Sequence, residues 1–224
     1  MKTDRKLGYE VKKYLIKKGV ETPMVKVNLT SDEKIELIRD NMKTIIEVLG
    51  LDTEDDSISG TADRVAKMYV NELCYSLDYS KFPACTVFEN KMGYNQMVLQ
   101  KDITFYSMCE HHFVNFNGLA QVGYIPNGNV IGLSKLNRIV NFFARRPQVQ
   151  ERLNEQIFYA LEYILHTSDI AVLMQGEHLC VKSRGVGDIN SEMTTSKLGG
   201  GFYDIDKLRN EFLTLATVKW NLNM

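Results

Sequence analysis

Nothing in this chain is present in marked excess. Its 224 residues carry a formal net charge of −1, so the overall balance draws it neither to nucleic acid nor to a membrane surface. An anion site must come from a local cluster of Lys and Arg. No stretch approaches the roughly 18 apolar residues of a membrane span. The start, Met1 to Lys6, leads into no apolar run, so no signal peptide is expected. Internal repeats and low-complexity tracts are absent. Hydrophobic residues at 44% and charged residues at 25% are ordinary for a globular protein and exclude general disorder. The length suits one large domain, or one domain with a helical appendage. Cysteine is scarce, at four residues. Without an export signal this points to a reducing cytoplasm, where cysteines serve more often as ligands, nucleophiles or core fillers than in disulfides.

The scarce residues are concentrated. Three of the four histidines and two of the four cysteines fall in Cys109-Glu110-His111-His112 and His178-Leu179-Cys180. Cys109 and His112 are close enough to grip one metal ion from a single turn. In a strand, His178 and Cys180 would share a face. Cys109, His112 and Cys180 together make three ligands, the count of a catalytic zinc that keeps its fourth position for water. The alternative is a pair of buried apolar thiols, or a disulfide formed on oxidation. If those three residues hold the metal, His111 and His178 are left as proton shuttles, or as partners that orient a ligand. Cys74 and Cys85 read as fillers.

In chain order, residues 5–18 form an amphipathic helix broken at Glu21-Thr22-Pro23. Thr30 and Glu33 have capping-box spacing before a helix that Gly50 stops. A third helix runs from Thr61 to Leu73. From Met97 to Pro126 the composition predicts antiparallel strands, with turns at Asn117-Gly118 and Asn127-Gly128. Ser134 caps a helix over 135–144, and Pro147 opens a longer one. Strand returns over Ile170 to Lys182 and near 192–198, and Gly199-Gly200-Gly201 ends it. A last helix over about 205–216 buries Leu208, Phe212 and Leu215. This order suits an α+β protein with an antiparallel sheet.

Two further constellations bear on function. Ser134, Lys135 and Arg138 open a helix, where free N–H groups favour an anion. Arg184, Arg64 and Lys67 are further cations that a triphosphate would use. Taken singly, each also fits a solvated surface, as do Arg145 and Arg146. Gln150-Glu151 in a first helical turn suits the helix dipole. The pair could also recognise adjacent donors such as N1–H and the 2-amino group of guanine.

The runs Cys109 to Phe113, Tyr124-Ile125-Pro126, Ile131 to Lys135, Arg146-Pro147-Gln148-Val149-Gln150-Glu151-Arg152-Leu153 and His178 to Lys182 resemble those of the GTP cyclohydrolase I family, over roughly residues 30–216. The resemblance implies a tunnelling fold: an antiparallel β-sheet backed by two antiparallel helices, with a helical N-terminal extension. Residues 1–95 would be the extension and 96–224 the catalytic domain. Pentamers would stack into a homodecamer with active sites between subunits. Zinc would be held by Cys109, His112 and Cys180, and guanine by Glu151 with Gln150. The triphosphate and ribose would meet Ser134, Lys135, Arg138, Arg184 and, across an interface, Arg64 and Lys67. The implied reaction opens the imidazole ring of GTP hydrolytically. It releases formate and rearranges the ribose to give 7,8-dihydroneopterin triphosphate, the entry to pterin and tetrahydrofolate synthesis. His178 would protonate N7, and His111 and Ser134 would handle protons in the ribose steps. The chain departs from the family pattern at Ala62, Asp63, Gly187, Glu192 and Met193. Other readings remain open: a related enzyme acting on another purine or pterin, or a binding module whose structural zinc takes His111 as a fourth ligand.

Overall fold

The computed structural model describes residues 2–218, so the end of the region expected as 96–224 lies outside the described residues. Helix α1 (Arg5–Lys18) is capped by Asp4, whose side chain accepts from the Leu7 amide, and Gly19 closes it in the left-handed region. Helix α2 (Ser31–Val48) has the full capping box of Thr30 and Glu33. Helix α3 (Thr61–Met68) passes into one π-helical turn over Tyr69–Leu73. The single helix expected there changes its winding at Tyr69.

Strand β1 (Val87–Glu89) precedes the long strands β2 (Val98–Cys109) and β3 (Asn115–Tyr124), and short β4 (Asn129–Ile131) pairs back with β1. Helix α4 (Leu133–Ala144) and a two-residue strand β5 (Pro147–Gln148) lead to helix α5 (Gln150–Leu165). Then come β6 (Ile170–His178), the single turn α6 (Leu179–Lys182), β7 (Met193–Leu198), α7 (Gly201–Asp204) and α8 (Asp206–Thr217). The main sheet has the order β5-β2-β3-β6-β7. All its neighbours are antiparallel except β5 with β2.

The main core lies between one face of this sheet and α4 and α5, which bury Leu136, Ile139, Phe142 and Phe143 on one helix and Leu153, Ile157 and Leu161 on the other. Val11 and Leu15 of α1 join the same cluster. A large apolar side chain fully withdrawn from water contributes about 1.5–3 kcal/mol, so α1 is held to the core by its apolar stripe. A second cluster forms around Ala171, Leu173, Phe202, Phe212 and Ala216.

Several expectations are corrected. Asn117-Gly118 is not a turn but lies inside β3, where Gly118 is registered between Phe105 and Gly176. A Cβ there would collide with the Gln175 carbonyl oxygen, so this glycine serves close strand approach and not chain reversal. The α4 cap is Gly132, which puts Ser134 within the first turn. Pro147 belongs to β5, and its helix begins three residues later. β6 ends at His178, so Cys180 lies on α6 and the shared strand face of the pair does not form. Leu215 is 44% exposed, and Ala216 takes the buried position instead. No described helix is long and apolar enough to cross a membrane.

Candidate active site

β2 delivers Cys109 at its last residue, 5% exposed. The chain then reverses tightly. The Phe113 amide donates to the Cys109 carbonyl at 2.9 Å, and the Cys109 amide to the Val114 carbonyl at 2.8 Å. Phe113 takes φ 54, a left-handed conformation that costs a non-glycine residue about 1 kcal/mol or more. Its ring lies 6.3 Å from that of Tyr69, on the π-helical turn. The Glu110 amide donates to the Gln148 carbonyl at 3.0 Å, tying the loop to β5.

At the same end of the sheet, where His178 is registered against Phe116 of β3, β6 hands over to α6 and brings in Cys180. The donor atoms of Cys109, His112 and Cys180 all lie within 4.8 Å of one another. Two thiols and an imidazole are the soft-to-borderline set that suits zinc. Donors sharing one tetrahedral zinc stand about 3.5–3.8 Å apart, given Zn–S bonds of about 2.3 Å, so small side-chain adjustments complete the arrangement. Burial, and then the neighbouring Cys109 thiol, raise the pKa of Cys180. A coordinated cation acts in the opposite direction and favours thiolate. Cys74 and Cys85 are free thiols pushed up by burial to about 11 and about 12, which fits inert fillers.

His178, the last residue of β6, stacks on Phe116 with ring centroids 4.5 Å apart and planes 6° from parallel. Its Nε2 lies 3.0 Å from Gln150 Oε1. The Gln150 amide nitrogen donates to the carbonyls of Met174 at 3.2 Å and Met193 at 3.0 Å, and it is 3.1 Å from Thr195 Oγ1. Those acceptors fix the amide's orientation, so its oxygen must face His178, and Nε2 is the nitrogen that carries the proton there. Burial lowers the His178 pKa, while the charge of Glu151 works against this. Glu151 itself is exposed in the first turn of α5.

A sequence profile of GTP cyclohydrolase I matches residues 38–217. The chain belongs to the GTP cyclohydrolase I family. It is 55% identical over 195 residues to the GTP cyclohydrolase 1 of Aeromonas salmonicida, covering 87% of this chain and 89% of that one. To its counterpart in Shewanella loihica it is 51% identical over 205 residues, covering 92% and 96%. Among solved structures, the apo form of an archaeosine synthase QueF-Like aligns with a TM-score of 0.38 and 16% identity. That alignment covers 48% of this chain and 95% of the other, a likeness too slight to carry an argument.

The remaining residues singled out from the GTP cyclohydrolase I motifs are distributed as follows. Arg184 reaches the cluster, with Nη1 donating to His112 Nε2 at 3.0 Å. His111 Nδ1 is 3.7 Å from Cys109 Sγ. Ser134 is exposed and Lys135 half-buried in the first turn of α4. Arg138 lines a cavity of about 470 Å³ with Glu72, Tyr75, Asn137, Asn141 and Arg145. The described contacts of Arg64 and Lys67 stay within α3: Arg64 donates to Thr61 Oγ1 at 2.9 Å, and Lys67 pairs with Asp63 at 2.7 Å.

Two features escaped the sequence reading. Glu110 receives a two-pronged ion pair from Arg152, which lowers its pKa. Arg146 is not a surface residue but is fully buried. It donates to the Ser76 carbonyl at 2.6 Å, Ser76 Oγ at 3.0 Å and the Tyr79 hydroxyl at 3.1 Å, with Glu21 at 3.5 Å. Its partners lie about 70 and 125 positions away in the chain, beyond the reach of any local pattern.

Proposed function

We propose that this site performs the GTP cyclohydrolase I reaction: hydrolytic opening of the imidazole ring of GTP, loss of formate, and rearrangement to 7,8-dihydroneopterin triphosphate. The observation that carries the assignment of roles is the meeting of Cys109, His112 and Cys180 from two distant segments, with His178 and Glu151 alongside. Cys109, His112 and Cys180 would hold zinc, which when bound supplies Lewis-acid activation of water. Glu151 accepts hydrogen bonds from N1–H and the 2-amino group of guanine, while the Gln150 amide, expected to share that task, is taken up by Met174, Met193, Thr195 and His178. His178, aimed by Gln150 and shielded on one face by Phe116, delivers a proton to N7. His111 and Ser134 move protons in the ribose steps. Lys135, Arg138 and Arg184 neutralise the triphosphate, with Arg64 and Lys67 reaching it from a neighbouring subunit.

The same reading takes the mixed sheet and its helices as a tunnelling fold. Residues 1–95 are its helical extension and 96–224 its catalytic part, and the assembly is a homodecamer of two pentamers. Free cysteines support a reducing, cytoplasmic setting. The pterin enters tetrahydrofolate synthesis.

The test is incubation of zinc-loaded protein with GTP. Formate and a pterin that fluoresces after oxidation should appear together, and the absence of both refutes the assignment. Cys180→Ser should lose metal and turnover together. Glu151→Ala should keep zinc while KM for GTP rises at least tenfold, about 1.4 kcal/mol, and an unchanged KM removes Glu151 from the guanine site.

A second reading, a structural zinc, draws on the 3.7 Å approach of His111 Nδ1 to Cys109 Sγ. Absorption of the cobalt-substituted protein separates the two. A spectrum unaltered by His111→Ala leaves His111 outside the coordination sphere and excludes the structural site.

A further inference from the structure

Glu110 stands between Cys109 and the two histidines, and the proposed chemistry gives it no part. Its carboxylate nevertheless makes the strongest side-chain contact of the ligand loop. Arg152 Nη1 is 2.5 Å from Glu110 Oε2, and Nη2 is 3.2 Å from Oε1. The side chains are 20% and 25% exposed. A partly buried, two-pronged guanidinium–carboxylate pair fixes orientation as well as distance, which a freely rotating surface pair does not.

The backbone repeats the connection from the other side. The Glu110 amide donates to the Gln148 carbonyl, and Cys109 is registered against Gln148 in the only parallel pairing of the main sheet among the described residues. The metal-ligand loop and the start of α5 are therefore joined twice. What α5 carries there is Gln150, which holds His178, and Glu151, the neighbour of Arg152. A shift of the loop relative to this turn would change the spacing between the metal ligands and the groups that receive the purine.

We propose that Glu110 and Arg152 form a positioning pair, which locks the metal-ligand loop to the first turn of α5 and so sets the spacing between metal and purine sites. The inference rests on the function proposed above. Neither residue is placed on substrate or metal. Glu110 acts through Cys109 and His112, and Arg152 through Glu151 and Gln150. Groups that orient metal ligands in this way typically contribute tenfold to a hundredfold in metal affinity or activity.

The test uses full-length, zinc-loaded protein and the variants Glu110→Gln, Arg152→Met, Arg152→Lys and the double Glu110→Gln/Arg152→Met. Four quantities are read: zinc transfer to a chromophoric chelator, the absorption spectrum after cobalt substitution, and KM and kcat for GTP. Each non-conservative single variant should release zinc at least tenfold more readily, alter the cobalt spectrum and lower kcat. The double should be no worse than the poorer single, because the two act as one unit. Arg152→Lys keeps the charge but loses the fork, and should fall between. Variants that keep zinc affinity and the cobalt spectrum while losing only thermal stability overturn the proposal. So do losses that multiply in the double. A parent protein that takes up no zinc, or holds it without converting GTP, refutes the proposed function itself. A parent competent in both with indifferent variants refutes the pair alone.

Discussion

Gln150 offers a test that separates binding from chemistry. Its side chain is fully buried, and its amide is committed to Met174, Met193 and Thr195 on one side and to His178 on the other. A residue so placed should act on GTP only through His178. Gln150→Met keeps the volume and apolar contacts but removes the oxygen that accepts from His178 Nε2. A hydrogen bond to a group that becomes charged contributes about 1.5–3 kcal/mol. Losing it where the proton is delivered converts to a fall in kcat of about tenfold to a hundredfold. The same change should move KM for GTP less than about threefold, since the replaced atoms are buried and already committed to protein partners. Steady-state kinetics of the zinc-loaded variant give both constants, and a metal assay confirms that the cluster is intact. A KM raised tenfold or more with kcat preserved would refute the reasoning and put the Gln150 amide on the guanine ring beside Glu151.

Two further outcomes follow from other parts of the molecule. Arg146→Met withdraws a buried cation from Glu21, Ser76 and Tyr79 and leaves a carboxylate behind without its partner. That should cost about 3–5 kcal/mol, a large share of an ordinary domain's stability. Urea unfolding measures it, and a loss below about 1 kcal/mol would show the network to be dispensable. Asp63→Asn releases Lys67 from a half-exposed ion pair worth about 0.3–0.5 kcal/mol. If Lys67 serves the triphosphate, KM for GTP should fall about twofold at low salt, and an unchanged or higher KM would separate Lys67 from the phosphates.

The sequence made periodic and capped segments legible. α1 lies over Arg5–Lys18 because its apolar stripe and its glycine stop are local signals, and α2 because Thr30 and Glu33 close on each other within four residues. The meeting of Cys109, His112 and Cys180 was legible because these residue types are rare in the chain and their shared chemistry is narrow. The errors arose where a local signal was overruled from a distance. Asn117-Gly118 has the composition of a hairpin turn, but the close approach of β6, paired beside it in the sheet, needs a residue without a side chain. Pro147 has the look of a helix opener, but β2 captures it as an edge strand first. The same holds for Arg146 and for the pairing of Glu110 with Arg152, since each joins segments that only the fold brings together.

Gly118 and Gly176 face each other across β3 and β6. A Cβ on Gly176 would come within 2.6 Å of Gln150 Oε1, and one on Gly118 would strike the strand that carries Gly176. Positions 118, 150 and 176 thus form a small block with a shared inheritance. A side chain at 118 strikes backbone that no change at 150 or 176 removes, whereas one at 176 meets the Gln150 side chain and is tolerable only if position 150 changes with it. In a randomised library screened for activity, these three should give the narrowest repertoire outside the Cys109, His112 and Cys180 cluster, although none of them belongs to it.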